Sequence, residues 1–250
     1  MSLKSLALCL VFLVLLAPAA FAAEKTFING IDANYPPHTF LNEKGTPTGF
    51  DVEAMDWIAN KMGFKVTHQP MEWDGIIPSL LAKKIDLICS GMSISEERKA
   101  RVTFSDPYWS TKKYILVRND STLTMDEVLK GGKVLGVQSG TNEAEFLKTQ
   151  VENGTWNFTL KLYDSPPLAI EDLVNGRIDA GAIDSAPADM AMNKGGRPVK
   201  SIGEYKESDD FGVAMRNEDV ELHKMINEGF KLLQADPFWQ ELQDKYITAK

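Results

Sequence analysis

Cysteine is nearly missing from this chain: Cys9 and Cys89 are the two it has in 250 residues. Cys9 falls in an apolar N-terminal run, so a processed chain would keep one thiol and could form no internal disulfide. Stability must then come from core packing. Cys89 closes the short branched run Ile85–Cys89, which reads as a buried strand, so an inert buried thiol is expected there rather than a nucleophile. Metal-ligand spacing is also lacking, because His38, His68 and His223 lie far from one another and from Cys89. No metal and no cofactor are expected. The chain has no G-x-S-x-G, no P-loop and no G-x-G-x-x-G, and no spacing of carboxylates singles out an acid–base pair. Catalytic residues are therefore expected to be none. There is no basic run, and the net charge is −8, which argues against nucleic acid and anionic membrane surfaces as partners. Beyond the N-terminus no stretch is apolar enough to span a bilayer, and no repeat or low-complexity segment interrupts the chain.

What is present begins with an export signature. One lysine, an apolar run from Leu6 to Leu16 and the small-residue site Ala20-Phe21-Ala22 form the three parts of a secretory signal. Residues 1–23 are expected to be that signal peptide, and cleavage after Ala22 or Ala23 would release the chain into the periplasm. Cys9 follows Leu8 rather than a small residue, so it is a poor lipidation site.

The remainder alternates strand and helix patterns, which predicts an α/β fold. Thr26 to Asp32 reads as a strand, Phe40 to Gly49 as a hairpin-like excursion, and Val52 to Met62 as a helix closed by Gly63. A strand at Lys65 to His68, a helix at Ile76 to Leu81 and the strand at Ile85–Cys89 complete a β-α-β-α-β order, hence a parallel sheet. After a strand at Tyr114 to Arg118, Thr124 and Glu127 form a capping box. A second unit then runs through strand Val134 to Gln138, a helix from Asn142 with Asn142 and Glu145 at capping-box spacing, and strand Lys161 to Tyr163. It continues with Ser165 and Pro166 opening a helix whose apolar side is Leu168, Leu173 and Val174, then strand Ile178 to Ile183 and a helix from near Ser185. Phe211 to Met215 resumes as a strand. Val220, Leu222, Met225, Ile226, Phe230 and Leu233 line an amphipathic helix, and Asp236-Pro237 starts the last one.

One segment carries more information than the rest: Ser90 to Trp109. Ser90, Gly91 and Ser93 follow a strand, where backbone can approach a ligand; Ser95 is a candidate N-cap, with Glu96 and Glu97 in the first turn. Arg98 sits in that same turn, where a cation opposes the helix dipole. Either a neighbouring glutamate holds it, or its fork is offered to a carboxylate from outside the chain. The ordered run Gly91-Met92-Ser93-Ile94-Ser95, Arg98, then Phe104-Ser105-Asp106-Pro107-Tyr108 resembles the signature of the family 3 extracellular solute-binding proteins, the periplasmic polar amino-acid receptors of ABC importers.

That resemblance covers nearly all of the chain after the signal and implies two lobes, each a mostly parallel sheet flanked by helices, joined by two crossings. Lobe I would comprise 24–109 plus 213–250 and lobe II 113–207, with hinges near Ser110-Thr111-Lys112 and Ser208 to Phe211. It further implies a ligand carboxylate held by Arg98 and Ser93, with Ser90 and Gly91 beside them. Thr141 and Asn142 would contribute from the helix N-terminus of the other lobe. Asp184, which by residue type alone reads first as a helix N-cap, would on this resemblance take the ligand's α-ammonium. Tyr35 and Trp73 match aromatic positions that sandwich the ligand, although packing roles also fit them. Asp32 matches the position contacting the ligand's far end, and Gln138 a position that varies among members; Asp32 could also cap the Tyr35-Pro36-Pro37 turn. An aspartate there favours an amide or cationic ligand side chain over an acidic one. The resemblance thus implies a monomeric receptor that delivers a polar L-amino acid to an inner-membrane permease. The rival is an enzyme on the same scaffold, like the cyclohexadienyl dehydratases.

Overall fold

The computed structural model describes residues 25–248; the expected signal segment lies outside them. Two five-stranded sheets, each covered by helices on both faces, form the two lobes. The first sheet has the spatial order Lys65–Pro70, Thr26–Ile31, Leu87–Ile88, Ala214–Met215, Thr103–Phe104. Its first three strands are parallel, as the β-α-β-α-β pattern requires, and Ala214–Met215 runs antiparallel to both neighbours. The second sheet has the order Phe158–Tyr163, Lys133–Gln138, Ala180–Asp184, Trp109–Arg118, Val199–Phe211, again three parallel strands followed by antiparallel ones. The sheets are therefore mixed. The parallel portions come from the βαβ units, and the strands that arrive from elsewhere in the chain pair antiparallel, which needs no crossover helix. A small antiparallel sheet, Asn34–Tyr35, Thr39–Leu41 and Pro47–Thr48, is the excursion expected at Phe40 to Gly49.

Helix Phe50–Met62 lays Phe50, Ala54, Met55 and Ile58 against the first sheet and ends at Gly63, whose φ of 76° suits a left-handed cap. Helix Val220–Gln234 packs beside it. Its Gly229 faces Ile58 so closely that a Cβ would collide with the Ile58 side chain. Two expected apolar positions fall outside the core, since Leu168 and Val220 are about half exposed; Ala169, Ile170 and Leu173 bury instead in helix Pro166–Val174. Cys89 is buried, and burial pushes its thiol well up.

The two crossings are longer strands than the sequence suggested. The strand expected at Tyr114 begins at Trp109, and the one expected over Phe211 to Met215 is split, Val199–Phe211 ending before Ala214–Met215 joins the first sheet. Trp109 and Phe211 pack with Phe50 in the first lobe's core, whereas Ile115, Val117 and Tyr205 lie in the second lobe's. Between those ends the strands pair antiparallel, Trp109 with Phe211, Ser110 with Asp210 and Thr111 with Asp209. Pairing the crossings with each other satisfies backbone groups that a lone connecting segment would leave open.

Candidate ligand-binding site

Both lobes point the carboxyl ends of their parallel strands at the same cleft, the position where open α/β sheets place ligands. From the first lobe, Asp32 follows Thr26–Ile31, and Ser90 to Ser93 follow Leu87–Ile88. Arg98 follows on the turn Glu96–Lys99, which Ser95 caps by accepting the Arg98 backbone N–H at 3.3 Å. From the second lobe, Gln138 ends Lys133–Gln138 and Asp184 ends Ala180–Asp184. Thr141 caps helix Asn142–Glu152 by accepting the Ala144 N–H at 3.1 Å. The cap is thus Thr141 rather than the Asn142–Glu145 pair that the spacing suggested, because the residue before the first helical one has the extended backbone a cap needs.

Arg98 is buried, 7% exposed, and among the described residues no glutamate side chain bonds its guanidinium. Nη1 donates to the Ser93 carbonyl at 2.9 Å, Nη2 crosses the cleft to the Gly140 carbonyl at 3.3 Å, and the guanidinium lies 5.4 Å from the centre of the Trp73 ring. Trp73 Nε1 donates to the same Gly140 carbonyl at 3.1 Å. Deeper in, Gln138 Nε2 donates to Asp32 Oδ2 at 2.7 Å, and the Tyr35 hydroxyl donates to Asp184 Oδ2 at 2.5 Å. These bonds join the lobes in a closed form. The space enclosed by Asp32, Tyr35, Trp73, Ser90, Gly91, Ser93, Arg98, Gln138, Thr141, Glu143 and Asp184 is about 20 Å³, room for roughly one water. A larger molecule must part the Gln138–Asp32 and Tyr35–Asp184 bonds to enter. Asn142 lies outside this group, in an outer cleft of about 340 Å³ shared with Trp73, Arg98 and Thr141.

Some expected donors are already committed. The Ser90 hydroxyl accepts the Asp32 backbone N–H at 2.9 Å and lies 3.0 Å from the Thr39 hydroxyl. The Gly91 N–H donates to Asp51 Oδ2 at 2.6 Å, and the Tyr108 hydroxyl donates to that same oxygen at 2.8 Å. These bonds hold the loop that presents Ser93 and Arg98. Gly91 has φ 58°, and a Cβ there would sit 2.5 Å from Tyr35 Cε1, so glycine is required on both counts. Asp32 Oδ1 accepts the Asn34 N–H at 2.9 Å, as a turn-capping aspartate would, while Oδ2 faces the cleft and accepts from Gln138. Burial pushes the Asp32 carboxyl up, against the pull of those two donors.

Asp184 makes no bond to the helix it precedes. Its Oδ1 instead accepts from Lys113 Nζ at 2.5 Å, and Lys113 also pairs with Glu143 and, at 3.3 Å, with Asp209. Burial pushes Asp184 up, Lys113 opposes this and the Glu143 carboxylate adds to it. Glu143 is also buried, but the Lys113 ammonium and its hydrogen bond win there and hold it at about 2. Neither Lys113 nor Glu143 was a candidate from the sequence. Lys113 carried a signal all the same, for it shares the inward parity of Thr111, Ile115 and Val117 along its strand. Glu143 lies in the first turn of helix Asn142–Glu152, where an acidic residue is common and gives no signal of a site.

The family model for bacterial extracellular solute-binding proteins, family 3, matches residues 27–249. This chain belongs to that family. It is 34% identical over 226 residues to the L-cystine-binding protein TcyJ of Escherichia coli K12, covering 90% of this chain and 83% of that relative. It is 31% identical over 243 residues to the L-arginine-binding protein of Pseudomonas aeruginosa, covering 94% and 93%. Among solved structures, the ancestral amino acid-binding protein AncCDT-1, a precursor of cyclohexadienyl dehydratase, superposes with a TM-score of 0.81 at 31% identity, over 89% of this chain and 95% of that one. Both of these curated relatives of this family 3 protein are named as binding proteins.

Proposed function

We propose that this chain is the periplasmic receptor of an ABC importer: it closes two lobes on a polar L-amino acid and delivers it to an inner-membrane permease. The observation that carries the reading is Arg98, buried, and Asp184, nearly so, on opposite walls of one cleft and on the two different sheets of the fold. A guanidinium fork suits the ligand's carboxylate, and a carboxylate freed from capping duty suits its α-ammonium. Ser93, Thr141 and Asn142 add donors at the carboxylate end, Tyr35 and Trp73 supply ring faces, and Asp32 with Gln138 receives the side chain. Asp32, Glu143 and Asp184 outnumber Arg98 and Lys113 around the cleft. That balance favours a ligand whose side chain is cationic or an amide. Relatives named for arginine and cystine agree with a polar ligand.

The lobes are assigned as 24–109 plus 213–250 and 113–207, hinged at Ser110–Lys112 and Ser208–Phe211. A ligand touching both walls binds the closed form better and shifts the population toward it. Export follows from the signal at residues 1–23, and the protein acts as a monomer without a cofactor. A thermal-shift screen of the common amino acids and polyamines tests the reading. One polar amino acid at about a hundredfold its Kd should stabilise by roughly 2.7 kcal/mol; a screen in which nothing shifts the melting point refutes it. AncCDT-1 is itself named as an amino acid-binding protein, but as a precursor of cyclohexadienyl dehydratase it makes a dehydratase of prephenate or arogenate the rival to test, and mass spectrometry after incubation with either compound separates turnover from release of the ligand intact.

A further inference from the structure

The carboxylate assigned to the ligand's ammonium already holds an ammonium. Lys113 Nζ, on a fully buried side chain, lies 2.5 Å from Asp184 Oδ1, in contact with Glu143 Oε1 and 3.3 Å from Asp209 Oδ2. Three carboxylates thus surround Lys113 Nζ, all four side chains being nearly out of solvent, and Lys206 Nζ holds the other oxygen of Asp209 at 2.9 Å. A purely structural ion pair in such a place would be matched in charge, because each uncompensated buried charge is costly. With Lys206 counted, two lysines face three carboxylates, and the one missing positive charge is on the side of the cleft: Asp184 and Glu143 line it, while Lys113, Asp209 and Lys206 stand behind.

The placement of the lysine also matters. Lys113 is on the first crossing strand, directly opposite Asp184 in register, and Asp209 is on the second crossing strand. If Nζ leaves Asp184 it keeps Glu143 and Asp209, so no charge is stranded by the exchange. Glu143 and Asp209 are seats to which it can retire.

We propose that Lys113 is a tethered competitor for the ammonium seat and so sets the receptor's selectivity for amino-bearing ligands: an incoming α-ammonium takes Asp184 Oδ1 as Lys113 Nζ withdraws to Glu143 and Asp209. This rests on the receptor reading above. The exchange is between two ammonium groups, and no bond is made or broken covalently. Because Asp209 belongs to the second crossing, the withdrawal tightens the contact between the two strands about which the lobes turn. Lys113 is therefore a positioning residue that ties occupancy of the cleft to the hinge.

Calorimetry on the full-length processed protein tests this with two probes: L-arginine, or the amino acid giving the largest thermal shift, and the same molecule lacking its α-amino group (5-guanidinopentanoic acid for arginine). The quantity read is the ratio of the two affinities. Lys113→Gln removes the competitor and should raise that ratio on the order of tenfold, the scale of a like charge a few ångströms away. Asp209→Asn removes a retreat seat and should lower the ratio. Opposite shifts support the proposal; a ratio equal to wild type in both variants overturns it and leaves the receptor reading standing. If Lys113→Gln does not fold, Asp209→Asn decides alone, an unchanged or raised ratio counting against. Wild type binding no amino acid at all would remove the receptor reading, and the proposal with it.

Discussion

Replacing Arg98 with alanine is the most direct challenge to the site. The guanidinium is desolvated between Ser93, Gly140 and Trp73, and its fork is assigned to the ligand's carboxylate. A hydrogen bond to a charged group contributes about 1.5–3 kcal/mol net, so losing two of them should weaken binding by roughly 3–6 kcal/mol. That corresponds to a Kd raised by about two to four orders of magnitude. The cost to the fold should be much smaller. Ser93 and Gly140 lose a donor to their carbonyls, but both line the cleft, where water replaces it once the lobes part. Arg98→Lys keeps the charge without the fork and should fall between, near a tenfold loss. Calorimetry gives the affinities, and urea denaturation gives the stabilities. Arg98→Ala binding within tenfold of wild type would refute the assignment of the carboxylate, and collapse of the fold would show that Arg98 serves structure first.

Three further outcomes are expected. Gly91→Ala must place a Cβ at φ 58° against the Tyr35 ring, so stability should drop by about 1–2 kcal/mol from the backbone alone, with ligand affinity falling too; denaturation and calorimetry together check this. Gly229→Ala, where the Ile58 side chain leaves no room, should cost about 1–3 kcal/mol and lower the melting temperature by several degrees without touching affinity. Glu143 is held at about 2 against an ordinary 4.5, so its carboxylate stabilises the fold fully above the unfolded value and loses that contribution as pH falls through the folded one. Asp184, pushed up beside it, acts in the opposite sense, and Lys113, Arg98, Asp209 and, through Asp209, Lys206 are the other charges of the cluster. The stability gap between wild type and Glu143→Gln, measured by denaturation, should therefore be widest above about pH 4.5 and close toward pH 2; a gap that stays constant over that range would refute this account.

Much of this was legible before any coordinates. Ser95, Thr124 and Gly63 announce helix ends by residue type, and all three act as the caps they resemble, since a cap is decided by the few residues around it. The apolar periodicity of Phe50–Met62 and of Val220–Gln234 likewise exposes which face is buried, apart from frayed starts such as Val220. The motif from Gly91 to Tyr108 pointed to the family, whose model matches residues 27–249, and within that motif to Arg98 as the residue to test. Less was legible where the chain crosses between lobes. Hinges near Ser110 to Lys112 and Ser208 to Phe211 came from the family resemblance alone, because nothing local tells the first segment that its partner strand lies near residue 209.

Chain chemistry over a few residues therefore decided where helices and strands begin and end, which sides are apolar, and the presence of a guanidinium in a helix's first turn. Folding in three dimensions alone decided that Lys113 meets Asp184 across 71 residues of sequence, that Gln138 reaches Asp32 across 106, and that two distant crossings become one paired ribbon. The reason is physical. Periodicity and capping are short-range preferences written in neighbouring side chains, whereas a buried charge takes its partner from whatever the topology brings within about 4 Å.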